Sequence, residues 1–300
     1  MALLHLWTHW ICIMVGSVFN FALLNFYELS NGILNFFYFL FFPLIMVKIE
    51  NFLEIKRGNF PVIVSVPHGG EHEYPQLPKR NDGIMGVDKS TISLAKLLIK
   101  FIGDISEQNH SKSWTPSYLF SYVPRRNIDL NRSKKKAYLK KSKLAKKIYK
   151  KYHKKIKSFI KFNLKTYGKS LLIDIHGFEK YKRPEGYREV EIVLGTNNLK
   201  SITVQELKKR DKNKNIRGRI IKHFLNIGVP IAPGHPRRDE YVLTGGYITQ
   251  KYGASNIEGS QSLQIEFSDQ IRIYNKSLKR LILKELALVL VDQISSSTKK

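Results

Sequence analysis

The chain has 300 residues, 43% of them hydrophobic and 12% aromatic. That suits one large α/β domain or two small ones and excludes a disordered or collagen-like chain. Its one cysteine, Cys12, excludes a disulfide framework and a cysteine-based zinc site, and its apolar surroundings exclude it as a nucleophile. Lys and Arg number 51 against 24 Asp and Glu, a net charge of +27 carried by 37 Lys and 14 Arg. Such a lysine excess fits a solvated surface better than an arginine-led reader of nucleic acid.

From Ala2 to Val47 the only formal charge is Glu28, and apolar runs over Leu6–Tyr27 and Ile33–Val47 flank the turn Glu28–Gly32. The first run is long enough to span a bilayer; the second is short and carries Pro43. A basic start and a small-residue cleavage site are both missing, so this is no signal peptide. Two readings stand: a membrane anchor within residues 6–47, or a leader ahead of a true start at Met46. Lys48, Lys56 and Arg57 would keep the domain over 48–300 cytoplasmic by the positive-inside rule.

Downstream, strand and helix signals alternate. Pro61–Val66 is a β-branched run ended by Pro67, Val87–Phe101 has helical spacing, and Tyr118–Val123 and Leu171–Ile175 read as further strands. Val190–Leu194, Val229–Ile231 and Leu263–Phe267 follow, and Tyr274–Ile294 reads as a C-terminal helix. This order predicts an α/β domain with a largely parallel or mixed sheet. Between Ser133 and Ile173 stand sixteen lysines and no acid. Leu144, Ile148, Tyr152, Ile156 and Phe159 step by three or four, which predicts an amphipathic helix with a lysine-covered outer face. That face is a solvated surface or a patch for nucleic acid or anionic lipid. It lacks the arginines and interleaved aromatics that single-strand binders use.

The residues that carry chemistry sit at strand ends, where open α/β sheets gather ligands. His68 and Glu71, three apart, follow the first strand, and His176 ends the strand begun at Leu171. Histidine and carboxylate donors suit Zn²⁺, and three protein ligands with one open position form the catalytic arrangement. Asp174, two residues before His176, is placed to orient that imidazole. Glu266 lies between apolar neighbours in the last strand, where a carboxylate needs a partner or a task. As general base it would take a proton and return it to a leaving amine. The loop Pro124–Arg132 offers Arg and Asn for a substrate carboxylate, and an arginine near the metal would stabilise an oxyanion. Thr244–Tyr247 reads as a flexible turn carrying an aromatic, a substrate loop or a plain turn. A P-loop, a Rossmann glycine pattern and a nucleophile elbow are all missing.

Taken in order, Val64–Gly70, Arg125 with Asp129–Arg132, Ile173–Gly177, Thr244–Tyr247 with Tyr252-Gly253, and Gln264–Glu266 resemble the N-formylglutamate amidohydrolase family. That family is a branch of the zinc-carboxypeptidase-like hydrolases. The resemblance covers about residues 48–295. It implies a three-layer α/β/α domain with a mixed central sheet and one zinc ion. It implies His68 and His176 as metal ligands and Glu266 as catalytic carboxylate. Asn131 and Arg132 would grip the substrate carboxylate, Arg125 would sit near the scissile carbonyl, and Tyr247 would belong to the substrate loop. Glu71 fits the ligand pair of the wider carboxypeptidase-like group, but formylglutamate hydrolases often have no acid there. Asp88 in Gly86-Val-Asp88 is therefore the rival carboxylate ligand.

The reading is a zinc-dependent hydrolase of a small N-acyl amino acid, N-formylglutamate by default, with no specific nucleic-acid partner. The alternatives are a carboxypeptidase-like peptidase or cell-wall peptide amidase, and a membrane-tethered basic protein that binds nucleic acid or acidic lipid through residues 134–165.

Overall fold

The computed structural model describes residues 48–182, 189–241 and 243–296. The apolar leader over 1–47, with its reading as a membrane anchor, lies outside them. Among the described residues no helix is long and apolar enough to cross a membrane.

Seven strands form one sheet: β1 (Leu53–Lys56), β2 (Phe60–Val66), β3 (Pro116–Ser121), β4 (Ser170–Phe178), β5 (Ile192–Gly195), β6 (Ile231–Ala232) and β7 (Ser260–Ser268). Their order is β1-β3-β2-β4-β7-β5-β6. The centre, β3-β2-β4-β7, is parallel, while β1 on β3 and β5 on β7 are antiparallel, so the sheet is mixed. Among the described residues five α-helices pack with it: α1 (Thr91–His110), α2 (Lys143–Tyr167), α3 (Ile216–Asn226), α4 (Tyr247–Tyr252) and α5 (Lys276–Ser296).

Strand alternation sorts the side chains between the two faces. Val62, Val64 and Val66 of β2, Ile173 and Ile175 of β4, and Leu263, Ile265 and Phe267 of β7 join one apolar core. Leu94, Leu98 and Ile102 of α1, Ile220 and Phe224 of α3, and Leu283, Leu286 and Leu290 of α5 belong to the same core. The intervening residues Ser65, Asp174, His176, Gln264 and Glu266 are polar, buried, and on the other face. There α2 packs, its Tyr152 hydroxyl 2.8 Å from Ser65 Oγ. Helices on both faces make this a three-layer α/β/α domain. Full burial on both sides explains why β2 reads as a continuous apolar run.

Helix α2 is capped by Ser142, whose Oγ accepts from the Ala145 amide, and ends at Gly168 in the left-handed region. Its buried stripe includes Ile148, Tyr152, Ile156 and Phe159, with Lys146, Lys147, Lys150, Lys154, Lys157 and Lys161 exposed outside. Two elements differ from expectation. Helix α1 starts at Thr91 instead of Val87, because the Asp88 amide donates to the His68 carbonyl, 3.0 Å away, and holds the preceding residues out of the helix. Tyr247 opens the short helix α4 instead of sitting on a free turn.

Candidate metal centre

The site forms where β2, β4 and β7 end side by side. His68 leaves β2 through Pro67. Its follower Gly70 runs so close to the Tyr122 backbone that a β-carbon there would lie 2.2 Å from the Tyr122 carbonyl carbon. His176 faces its neighbour Glu266 across the β4–β7 register. Asp88 arrives from the connection between β2 and α1.

His68, Asp88 and His176 are buried, and each offers one ligand atom within 4.8 Å of the others. The two Nδ1 atoms are 3.1 Å apart, and Asp88 Oδ2 lies 3.1 Å from His176 Nδ1 and 3.5 Å from His68 Nδ1. Both outer nitrogens meet carboxylates: His68 Nε2 is 2.7 Å from Asp129 Oδ1, and His176 Nε2 is 2.9 Å from Asp174 Oδ2. Since a carboxylate only accepts, these contacts put the ring protons on Nε2 and turn both Nδ1 lone pairs inward. Two imidazole lone pairs and a carboxylate oxygen thus converge, an arrangement that repels itself without a cation at its centre. The chemistry of this N₂O donor set suits a cation such as zinc.

Without a cation, a second proton on an imidazole takes its place, as an Nδ1–H that donates to Asp88. Burial pushes the His176 imidazole down, but Asp174 and Asp88 outweigh it and hold the pKa up to about 10. Burial pushes Asp88 up, and hydrogen bonds from His176 and His68 overcome it, leaving the carboxyl well below the usual range. Asp129 is held low in the same way, by His68 and then Arg125. Asp129 is a hub: Arg125 Nε donates to its Oδ2 at 3.0 Å, with Arg132 Nε at 3.6 Å and the buried Arg80 at 3.8 Å. Arg80 also donates to the carbonyls of Arg125, Asp82 and Ile84, tying the Asp88-bearing segment to this loop.

The centre opens into a cavity of about 880 Å³. Its lining includes His68, Asp88, Arg125, Asn131, Arg132, His176, Gln264 and Glu266. Glu266 Oε1 accepts from Gln264 Nε2 at 2.9 Å, and Gln264 Oε1 accepts from the Gly246 amide at 2.6 Å. Asn131 is held by its neighbours: Oδ1 accepts from the Ile248 amide at 2.8 Å, and Nδ2 lies 3.3 Å from His176 Nε2.

Two expected site residues fall elsewhere. Glu71 is exposed and stands outside the group that could hold a metal, whose carboxylate comes from Asp88. Tyr247 does not line the cavity. Its ring packs edge-on against His153 with Lys251 above it, while Leu243, Thr244, Gly245 and Gly246 supply that wall. The residues that sequence reasoning passed over are Arg80, together with Asp129 and Gln264, each seen only as part of a motif. An acid with arginines four before and three after it was the available signal for Asp129.

The N-formylglutamate amidohydrolase family model matches residues 139–271. The match takes in His176 and Glu266 and begins after His68, Asp88 and Arg132. Among solved structures, the chain is similar to an N-formylglutamate amidohydrolase from Ralstonia eutropha. That likeness has 13% identity and a TM-score of 0.55, over 83% of this chain and 98% of the other. It is also similar to a gene product from Agrobacterium tumefaciens, with 15% identity and a TM-score of 0.52, over 83% of this chain and 96% of the other. At these identities the likenesses establish the fold. No curated protein sequence matches the chain significantly.

Proposed function

We propose that this chain is a zinc-dependent amidohydrolase that cleaves the amide bond of a small N-acyl amino acid, with N-formylglutamate the first substrate to test. One observation carries the reading. Two inward-facing imidazole nitrogens and the Asp88 carboxylate converge at the floor of a cavity that also holds Glu266 and two arginines. The family match over residues 139–271 supports the amidohydrolase class.

His68, Asp88 and His176 would hold the ion, with Asp129 and Asp174 orienting the two imidazoles. Zinc held there would polarise an amide carbonyl and bring the pKa of a water down to roughly 7. Glu266 takes the proton from the attacking water and delivers it to the departing amine. Gln264, donating to Glu266 Oε1, fixes the orientation of that carboxylate. Arg125 keeps its Nε on Asp129 and turns positive charge toward the oxyanion, a contribution of about 3 kcal/mol. Arg132, half exposed at the cavity wall, attracts the substrate carboxylate.

The test is elemental analysis of the purified full-length chain, with N-formyl-L-glutamate hydrolysis assayed with and without a chelator. About one zinc per chain and chelator-sensitive turnover support the proposal. Zinc without turnover keeps the hydrolase and replaces the substrate, and folded protein that binds no zinc refutes the reading.

A further inference from the structure

We infer that Arg272 is a positioning residue of the metal centre, holding in register the three backbone segments that carry Asp88, His176 and Glu266. The inference rests on the metal-hydrolase reading above and deepens it.

Arg272 is among the largest fully buried side chains of the protein, 1% exposed. A buried guanidinium is costly, and an apolar side chain would fill the same space at lower cost unless the donors are needed. Its hydrogen bonds go to three backbone carbonyls on three segments. Nε donates to Phe267 at 3.1 Å, next to Glu266 on β7. One Nη donates to Phe178 at 3.0 Å, two residues beyond His176 on β4. The other donates to Lys89, next to Asp88. No other side chain described reaches all three. Arginine alone has a planar fork of five donors that serves three acceptors at once, and lysine does not.

Two further observations point the same way. Gly177, directly after His176, has no room for a β-carbon, which would lie 2.2 Å from Arg272 Nε. The guanidinium therefore packs directly against the β4 backbone next to His176, and the same glycine's amide donates to Asp88 Oδ2 at 3.3 Å. Arg272 also sits in a π-helical turn, Gln270–Tyr274, a rare conformation that recurs at functional sites. There the turn buries Ile271 and Arg272 and leaves Tyr274 exposed.

The experiment compares wild type with Arg272→Ala, Arg272→Lys and Gly177→Ala in the full-length chain. Zinc affinity is measured by competition with a chromophoric chelator, folding by circular dichroism, and kcat and KM on N-formyl-L-glutamate. Arg272→Ala should bind zinc about 10- to 100-fold more weakly with an unchanged dichroism spectrum, the loss typical when a group supporting a metal ligand is removed. Added guanidinium ion should restore part of that affinity. Arg272→Lys, which keeps the charge but reaches fewer carbonyls, and Gly177→Ala, which displaces the guanidinium, should each lose affinity too. A folded Arg272→Ala or Arg272→Lys chain with zinc affinity within threefold of wild type overturns the inference. Failure of both Arg272 variants to fold overturns it as well, since the residue then serves the fold at large. Wild type that binds no zinc removes the metal reading, and this inference falls with it.

Discussion

His153 couples acid stability to the metal centre. It belongs to the buried stripe of α2, with Nε2 3.1 Å from the Leu130 carbonyl oxygen and Nδ1 2.9 Å from the Tyr252 hydroxyl. Leu130 lies between Asp129, which holds His68, and Asn131, so this histidine braces the loop that orients a ligand. Burial, and after it the charge of Lys251, pushes the imidazole from its ordinary value near 6.5 down to about 3. The unfolded chain therefore takes up a proton as pH falls through about 6.5, and the native chain does so only near 3. Stability from this residue is complete above about pH 6.5 and is lost toward pH 3, at about 1.4 kcal/mol per pH unit. At pH 5 the loss is about 2 kcal/mol, a sizeable part of a typical 5–15 kcal/mol total. Burial pushes the neighbouring Tyr149 and Tyr252 phenols up, away from this range. Asp88 and Asp129, held low, weaken the fold only below about pH 4, and do so in any variant. Urea unfolding at about pH 7 and pH 5 should show wild type losing about 2 kcal/mol more than His153→Gln. Equal losses in the two chains would refute the reasoning.

Four further substitutions probe the site. Glu266→Gln should keep its zinc and lose about 10²- to 10⁴-fold in kcat, the usual worth of a positioned proton carrier; a wild-type rate removes Glu266 from the mechanism. Asp88→Asn should bind zinc far more weakly while Glu71→Gln leaves zinc content and turnover unchanged, because Glu71 is exposed and outside the ligating group. The reverse pattern would restore Glu71 as ligand. Arg132→Ala should raise KM mainly for substrates with a free carboxylate, and an equal loss with an amidated analogue sinks that role.

What was legible in the chain follows from which interactions are local. In the later halves of β4 and β7 polar residues alternate with apolar ones: Asp174 and His176 between Ile173, Ile175 and Gly177, Gln264 and Glu266 between Leu263, Ile265 and Phe267. That period of two gave the strand, its two faces and the direction of the functional side chains together. Edge strand β1 is only Leu53-Glu-Ile-Lys56, and its extended form depends on antiparallel pairing with β3, distant in sequence. Helix α4 has six residues, too few for a periodic signal, and its first residue, Tyr247, turns toward His153 because Asn131 Oδ1 accepts the Ile248 amide.

The candidate carboxylate ligand marks where local reasoning stops. Glu71 was favoured by its three-residue distance from His68, but that spacing brings two side chains together only if the backbone coils between them. Here residues 69–74 form neither helix nor strand, because Gly69 and Gly70 thread past Tyr122 and the start of α1, and Glu71 emerges into solvent. Asp88 stands much farther along a glycine-containing segment with no periodicity. Three long-range contacts bring it back: its amide on the His68 carbonyl, its carboxylate on the Gly177 amide, and Arg80 anchoring Asp82 and Ile84 to the Arg125 loop. None of these is encoded by spacing. Spacing therefore leaves Asp88 no more than the rival that the family resemblance suggests, and the pairing of β2 with β4 is what brings His68 and His176 to it.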